Sequence, residues 1–190
     1  MARPRRHSDE ALLDAALALL LRVGPQAFTL ADAGSELGMT RPALIQRFGP
    51  REALLRAMSA RQLDLTRAWL AGLGVPERSE AALRALLAQL AASVAAGQGH
   101  AGHPHLAAVE AADPALTAQA AARQTALRDA LAQRIPRGLT LRPVRAADLL
   151  VTVIAGALQT AAADPATPVE VQLQARLDLA LALLFPAGAD

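Results

Sequence analysis

The 190-residue chain has no cysteine, no lysine and no tyrosine, and only one tryptophan and three phenylalanines. Without cysteine it can form neither a disulfide framework nor a Cys-ligated zinc or iron–sulfur site, which suits a reducing compartment. Without lysine, all nineteen basic residues are arginines. The pI near 10.7 reflects arginine's failure to titrate below about pH 12, because the formal net charge is only +2. Sustained alternation of β-branched residues is missing throughout, so no sheet is expected. Ala and Leu dominate a composition that is 53% apolar, which favours packed helices.

Other absences narrow the function. No stretch reaches the roughly 18 uninterrupted apolar residues of a membrane span. Arg3, Arg5 and Arg6 precede an apolar segment in the manner of an export signal. Asp9, Glu10 and Asp14 interrupt that segment, however, and Leu13, Leu17 and Leu20 follow a helical stripe. The expectation is a soluble, cytoplasmic protein with no membrane partner. No nucleophile elbow, P-loop or dinucleotide fingerprint occurs. His7 lies in the tail and the other three histidines are clustered, so no dispersed Ser/His/Asp set exists. No catalytic residue, resident metal or cofactor is expected, and the chain is not read as an enzyme.

What the sequence does contain is helical punctuation. Ser8 caps a first helix whose opening turn carries Asp9 and Glu10, and Gly24-Pro25 stops it. A fourth helix runs from about Arg51 to Leu73, ended by Gly72, Gly74 and Pro76. A fifth starts at Ser79 and carries Leu83, Leu86, Leu87, Leu90 and Val94 at 3,4 spacing until Gly97 and Gly99. After a Gly/His/Pro segment at 97–104, a short helix is expected near His105–Ala112. Asp113-Pro114 then opens a longer one to about Gln133, with Leu116, Ala120, Leu127 and Leu131 buried and Arg123, Arg128 and Asp129 outside. The last two helices span 143–163 and 168–185. Both are apolar nearly all round, which calls for burial on all sides and points to a second copy of the chain.

The segment from Phe28 to Leu55, FTLADAGSELGMTRPALIQRFGPREALL, carries the functional signal. Thr29 is placed to cap one short helix, with Asp32 where a capping-box acid reaches back. Leu30, Ala33 and Leu37 give that helix an apolar face, and Gly38 supplies the left-handed residue that ends it. Met39 plugs the turn. Thr40 caps the next helix, Pro42 is tolerated in its first turn, and Leu44 and Phe48 form its buried side. Gly34, lacking a side chain, leaves room for a close helix crossing. The outer side of the second helix presents Arg41, Gln46 and Arg47. In the major groove arginine pairs with guanine and glutamine with adenine, and either can hold a phosphate. Residues 1–67 hold ten arginines against seven acids, whereas the rest is nearly neutral. A mildly positive head of this kind suits a surface that meets phosphate.

These residues resemble the N-terminal domain of the TetR family of transcriptional repressors. The matching elements are Thr29-Leu30, Gly38-Met39-Thr40, Phe48 and the run Arg51-Glu52-Ala53-Leu54-Leu55, with Gly24 and Phe28 upstream. The sequence departs from the family where Pro42 replaces a small residue, Ile45 an aromatic and Arg47 a histidine or tyrosine. The resemblance implies an all-α protein of about nine helices. It divides into a DNA-binding domain at 1–55, with three helices and a helix-turn-helix, and an effector-binding and dimerisation domain at 56–190. It implies DNA contacts from Thr29, Thr40, Arg41, Ala43, Ile45, Gln46, Arg47 and Arg51, the last through a phosphate at the start of the fourth helix. It further implies a homodimer through 143–163 and 168–185 on a palindromic double-stranded operator.

A small-molecule effector cavity in the body follows from the same resemblance. Its lining would be Leu, Ala and Val, with polar or flat groups from Gln62, Trp69, Ser93, His103, Gln124 and Thr152. Such a lining favours an apolar or amphipathic ligand. Arg3, Arg5 and Arg6 could form an arm along the DNA minor groove or backbone. The alternative reading is a metal-dependent helical enzyme or carrier using the His100/His103/His105 loop, since imidazoles suit zinc, copper or nickel.

Overall fold

The computed structural model describes residues 8–95, 104–161, 164 and 166–186. Among them lie nine α-helices and no strand: α1 (Asp9–Val23), α2 (Leu30–Glu36), α3 (Arg41–Phe48), α4 (Arg51–Gly72), α5 (Glu80–Ala95), α6 (Pro104–Ala111), α7 (Pro114–Arg134), α8 (Pro143–Thr160) and α9 (Val169–Leu184). The all-helical class is that expected from composition. No helix of the described residues is long and apolar enough to cross a membrane. The helices pack as two units. One falls within residues 1–65 and 105–121, the other within 66–104 and 122–190, so α4 and α7 each contribute to both.

Local chemistry explains where the helices start and stop. Ser8 Oγ accepts from the Ala11 N–H at 3.2 Å, Asp9 and Glu10 complement the dipole of α1, and Gly24 at φ +83° ends the helix. Ser79 Oγ accepts from the Ala82 N–H at 3.1 Å before α5. Asp113 Oδ1 accepts from the Ala115 N–H at 2.7 Å to open α7.

In the first unit the leucine stripe of α1 (Leu12, Leu13, Leu17, Leu20) packs with Phe28, Leu30, Ala33, Leu44, Leu54 and Met58. Leu106 and Val109 of α6 and Leu116 of α7 join the same core. Fully burying one such side chain contributes about 1.5–3 kcal/mol, so this apolar cluster supplies the main stabilisation of the unit. Polar ties fix the directions of its helices. Arg61 of α4 donates two hydrogen bonds to Asp14 of α1, at 3.1 and 3.0 Å. Arg56 donates to Asp113 Oδ2 at 2.9 and 2.7 Å. Ser59 and Glu110 are both buried, and the Ser59 hydroxyl donates to the Glu110 carboxylate at 3.3 Å.

In the second unit α9 packs against α5 and α8. Its core joins Leu83, Leu87 and Leu90 of α5 to Leu127, Leu131 and Ile135, with Leu150 and Ile154 of α8 and Leu173, Leu177 and Leu181 of α9. Arg78 donates to the carbonyls of Ala132 and Ile135, at 3.2 and 3.0 Å, and so satisfies the C-terminal end of α7.

Arg123 was expected outside, yet it is buried at 5% exposure, and Arg134 is buried too. The reason lies in the helical register: 116, 120, 123, 127, 131 and 134 recur at spacings of four and three, so both arginines fall on the apolar stripe of α7. Ala120 is half-buried rather than buried. The last two helices also end short of the expected bounds, α8 at Thr160 and α9 at Leu184. They are not covered on every side within the chain. Val144 and Leu149 of α8 and Val171, Leu179 and Leu183 of α9 stand exposed.

Candidate nucleic-acid interface

The turn between α2 and α3 is built by backbone conformation and one missing side chain. Gly38 follows the C-cap residue Leu37 and takes φ +62°, a left-handed conformation that costs other residues a Cβ clash. Met39 N–H then donates to the Gly34 carbonyl at 2.8 Å, folding the chain back over α2. A Cβ at Gly34 would lie 2.8 Å from the Met39 carbonyl oxygen and 3.4 Å from the Arg41 nitrogen. The close approach expected at Gly34 is thus made by the turn backbone and the first residue of α3. Met39 is half-buried against the core, as its role of plug requires.

Both helix starts are capped. Thr29 Oγ1 accepts from the Asp32 N–H at 3.1 Å and donates to Asp32 Oδ2 at 2.6 Å. The acid at the capping-box position therefore answers the capping hydroxyl. Thr40 Oγ1 accepts from the Ala43 N–H at 3.3 Å, and Pro42 sits in the first turn of α3, where no intrahelical N–H is needed. Leu44 is fully buried and Phe48 half-buried, so α3 is held along one side. Its other side carries Arg41, Pro42, Ile45 and Gln46, all exposed, with Ala43 half-exposed; Thr29 and Thr40 are exposed as well.

Two arginines grouped with this surface by the sequence have partners inside the unit. Arg51 donates from Nη2 to the Pro25 carbonyl at 2.7 Å and from Nε to the Phe28 carbonyl at 3.2 Å. Its guanidinium also lies 5.9 Å from the Phe28 ring centroid, within reach of a cation–π contact. A cation at the N-terminus of α4 opposes the helix dipole, which is why the sequence reserved it for a phosphate. Here two carbonyls and a ring answer it, and the arginine ties the α1–α2 loop to α4. Arg47 donates from Nε to Asp9 Oδ1 at 2.6 Å, and a second guanidinium nitrogen reaches the same carboxylate. The guanidinium also sits 5.7 Å from the ring centroid of Phe48 on its own helix. Asp9 was read from the sequence only as a complement to the α1 dipole. Its partner lies 38 positions away, and no spacing rule links the two.

Of the residues expected around an effector, five are described, each within one of the two units. Gln62 is buried in the first unit. Trp69 is half-buried against the core of the second, and Ser93 Oγ donates to the Leu90 carbonyl at 2.7 Å. Gln124 and Thr152 are exposed, and the Thr152 hydroxyl donates to the Asp148 carbonyl at 2.9 Å. A groove of about 480 Å³ is lined by Ala91 and Ala92 of α5 and by Glu170, Val171, Gln174, Ala175 and Asp178 of α9. None of the five expected residues that the structure describes, Gln62, Trp69, Ser93, Gln124 and Thr152, is among these lining residues.

His100 and His103, like Arg3, Arg5 and Arg6, lie outside the described residues. His105 is described, and its Nδ1 lies 3.0 Å from the Leu21 carbonyl at the end of α1. Among the described residues no group of three His, Cys, Asp or Glu side chains is arranged to hold a metal.

The comparisons with known proteins bear on this arrangement. Residues 12–58 match the family model described as bacterial regulatory proteins, tetR family. No curated protein matches the chain significantly. Solved structures do. A transcriptional regulator from Rhodococcus superposes with a TM-score of 0.72 at 18% identity, over 93% of this chain and 96% of that one. SmeT, the repressor of the Stenotrophomonas maltophilia multidrug efflux pump SmeDEF, gives 0.64 at 20% identity, over 96% and 93%. Thermus thermophilus FadR, a TetR-family transcriptional repressor in complex with lauroyl-CoA, gives 0.56 at 21% identity, over 95% and 99%. Residues 12–58 thus carry a helix-turn-helix segment similar to that of the TetR family of bacterial regulatory proteins, and the all-helical fold is shared with these solved structures.

Proposed function

We propose that this chain is a cytoplasmic, homodimeric transcriptional repressor that binds a palindromic double-stranded DNA operator and is released by a small apolar or amphipathic effector. The observation that carries the reading is the outer face of α3. It combines an exposed arginine, isoleucine and glutamine, Arg41, Ile45 and Gln46, on a helix capped by Thr40 and held from behind by Leu44. Arg41 and Gln46 are the base-reading residues, as their bidentate donor and acceptor groups suit. Ala43 and Ile45 offer apolar contact to thymine methyl groups. Thr29 and Thr40, at helix N-termini, hold phosphates. Arg51 and Arg47 contribute by fixing the loop and helix that carry this surface. The operator-reading domain is 1–55 and the effector and dimerisation domain 56–190.

Dimerisation through α8 and α9 is supported by the large apolar side chains left exposed on both helices, which a second copy would cover. Two-fold pairing would place two copies of α3 one DNA turn apart. The lauroyl-CoA complex of FadR gives a precedent for an acyl-bearing effector. An Ala/Leu-rich body with Trp69 as its flat wall is compatible with such a ligand, and Gln62, Ser93, His103, Gln124 and Thr152 are its candidate polar partners. The effector would bind the DNA-competent and DNA-incompetent arrangements unequally.

Selection of bound fragments from a random duplex pool tests the reading. A repressor of this kind enriches one palindrome and keeps its preference over random DNA as salt rises. Binding that loses all selectivity with salt contradicts it.

A further inference from the structure

We propose that Asp9 sets the part Arg47 plays at DNA: it holds the guanidinium in a neutral pair, so that Arg47 orients α3 and neutralises no phosphate. The inference rests on the DNA-binding reading above. Arg47 is the one cation of the last turn of α3, and its side chain is only 17% exposed. Two of its nitrogens converge on one oxygen of Asp9, the first residue of α1, and the ring of Phe48 lies beneath the guanidinium. Asp9 itself keeps 55% of its side chain in solvent. A phosphate approaching Arg47 therefore meets an exposed carboxylate at the same place. The pair presents no net charge to the DNA backbone, whereas each cation that does neutralise a phosphate releases counterions and steepens the salt dependence of binding.

The pair also has a geometric consequence. α3 has only eight residues, with Leu44 and Phe48 to seat it, and a link from its last turn to the first turn of α1 resists rotation about its own axis. Rotation of that kind would move Arg41 and Gln46 relative to base edges. Asp9 is thus a positioning residue that acts through Arg47.

The experiment measures binding of the full chain to a random-sequence duplex over a range of salt concentrations. It compares the wild type with Asp9→Asn, Arg47→Met and the double variant. Releasing Arg47 with Asp9→Asn should steepen the slope of log affinity against log salt by about 0.9 per protomer. Arg47→Met should leave the slope as in the wild type, and the double variant should behave like Arg47→Met. A slope that falls by about 0.9 in Arg47→Met, with Asp9→Asn unchanged, would mean that Arg47 already meets phosphate, and would overturn the proposal. If Asp9→Asn loses its helical circular-dichroism signal, Arg47→Met decides alone by the same criterion. A wild type that fails to bind duplex DNA even at low salt would overturn the DNA-binding reading, and the assignment of Asp9 with it.

Discussion

At the scale of single residues, the turn that presents α3 depends on a hydrogen atom. Gly34 is buried, and a methyl group there would stand 2.8 Å from the Met39 carbonyl oxygen, a backbone atom that cannot move without shifting the turn. Gly34→Ala should therefore destabilise the protein by about 1–3 kcal/mol, as overpacking does, despite the better helix propensity of alanine. Chemical denaturation would check this. An alanine variant as stable as the wild type would show that the turn yields. The need for glycine at 34 and 38 was legible in the sequence, because caps and left-handed residues are local. The partners of Arg47 and Arg51 were not. Asp9 and the Pro25 and Phe28 carbonyls lie 23 to 38 positions away, and only the folded chain brings them together.

Helices were read more accurately than the faces they bury. Their number, order and most of their ends follow from Ser8, Thr29, Thr40, Ser79 and Asp113 at the starts and from glycines near the ends. The charge of Arg123 points to an outer position, but its register places it on the buried stripe of α7. Asp113 illustrates how one residue can join two elements. It caps α7 and takes two hydrogen bonds from Arg56 of α4. The Arg56 hydrogen bond first, and the Ala115 N–H second, hold its carboxyl below the ordinary 3.8. A depressed carboxylate contributes stability that is complete above its unfolded pKa and is lost as pH falls through the lowered folded value. Asp113→Asn should thus be less stable than the wild type at neutral pH, and the difference should shrink on acidification through that range. Thermal melts at a series of pH values would measure it. A gap independent of pH would assign the effect to helix capping alone.

For the whole molecule, the apolar character of the last two helices leads to the expectation of a second copy of the chain. The described structure leaves Leu179 and Leu183, one turn apart on α9, at 64% and 74% exposure. Replacing both by glutamate should convert a dimer to a monomer in light scattering and leave the helical signal intact, because neither side chain supports the core. A wild type that is already monomeric would remove the dimer from the account. The effector site was the least legible part. Its expected residues Gln62, Trp69, Ser93, Gln124 and Thr152 satisfy different local demands, and none of them lines the groove between α5 and α9. A ligand pocket depends on space that helical periodicity does not encode.

The central claim is that the exposed face of α3 reads DNA sequence. Its most direct test is fluorescence anisotropy on the palindrome recovered by selection, with random duplex as the reference, for the wild type and for Arg41→Ala and Gln46→Ala. The account predicts that each variant stays folded and loses a large part of the preference for the palindrome, with about 1–3 kcal/mol of discrimination per lost bidentate contact. Variants that keep the full preference of the wild type would contradict it.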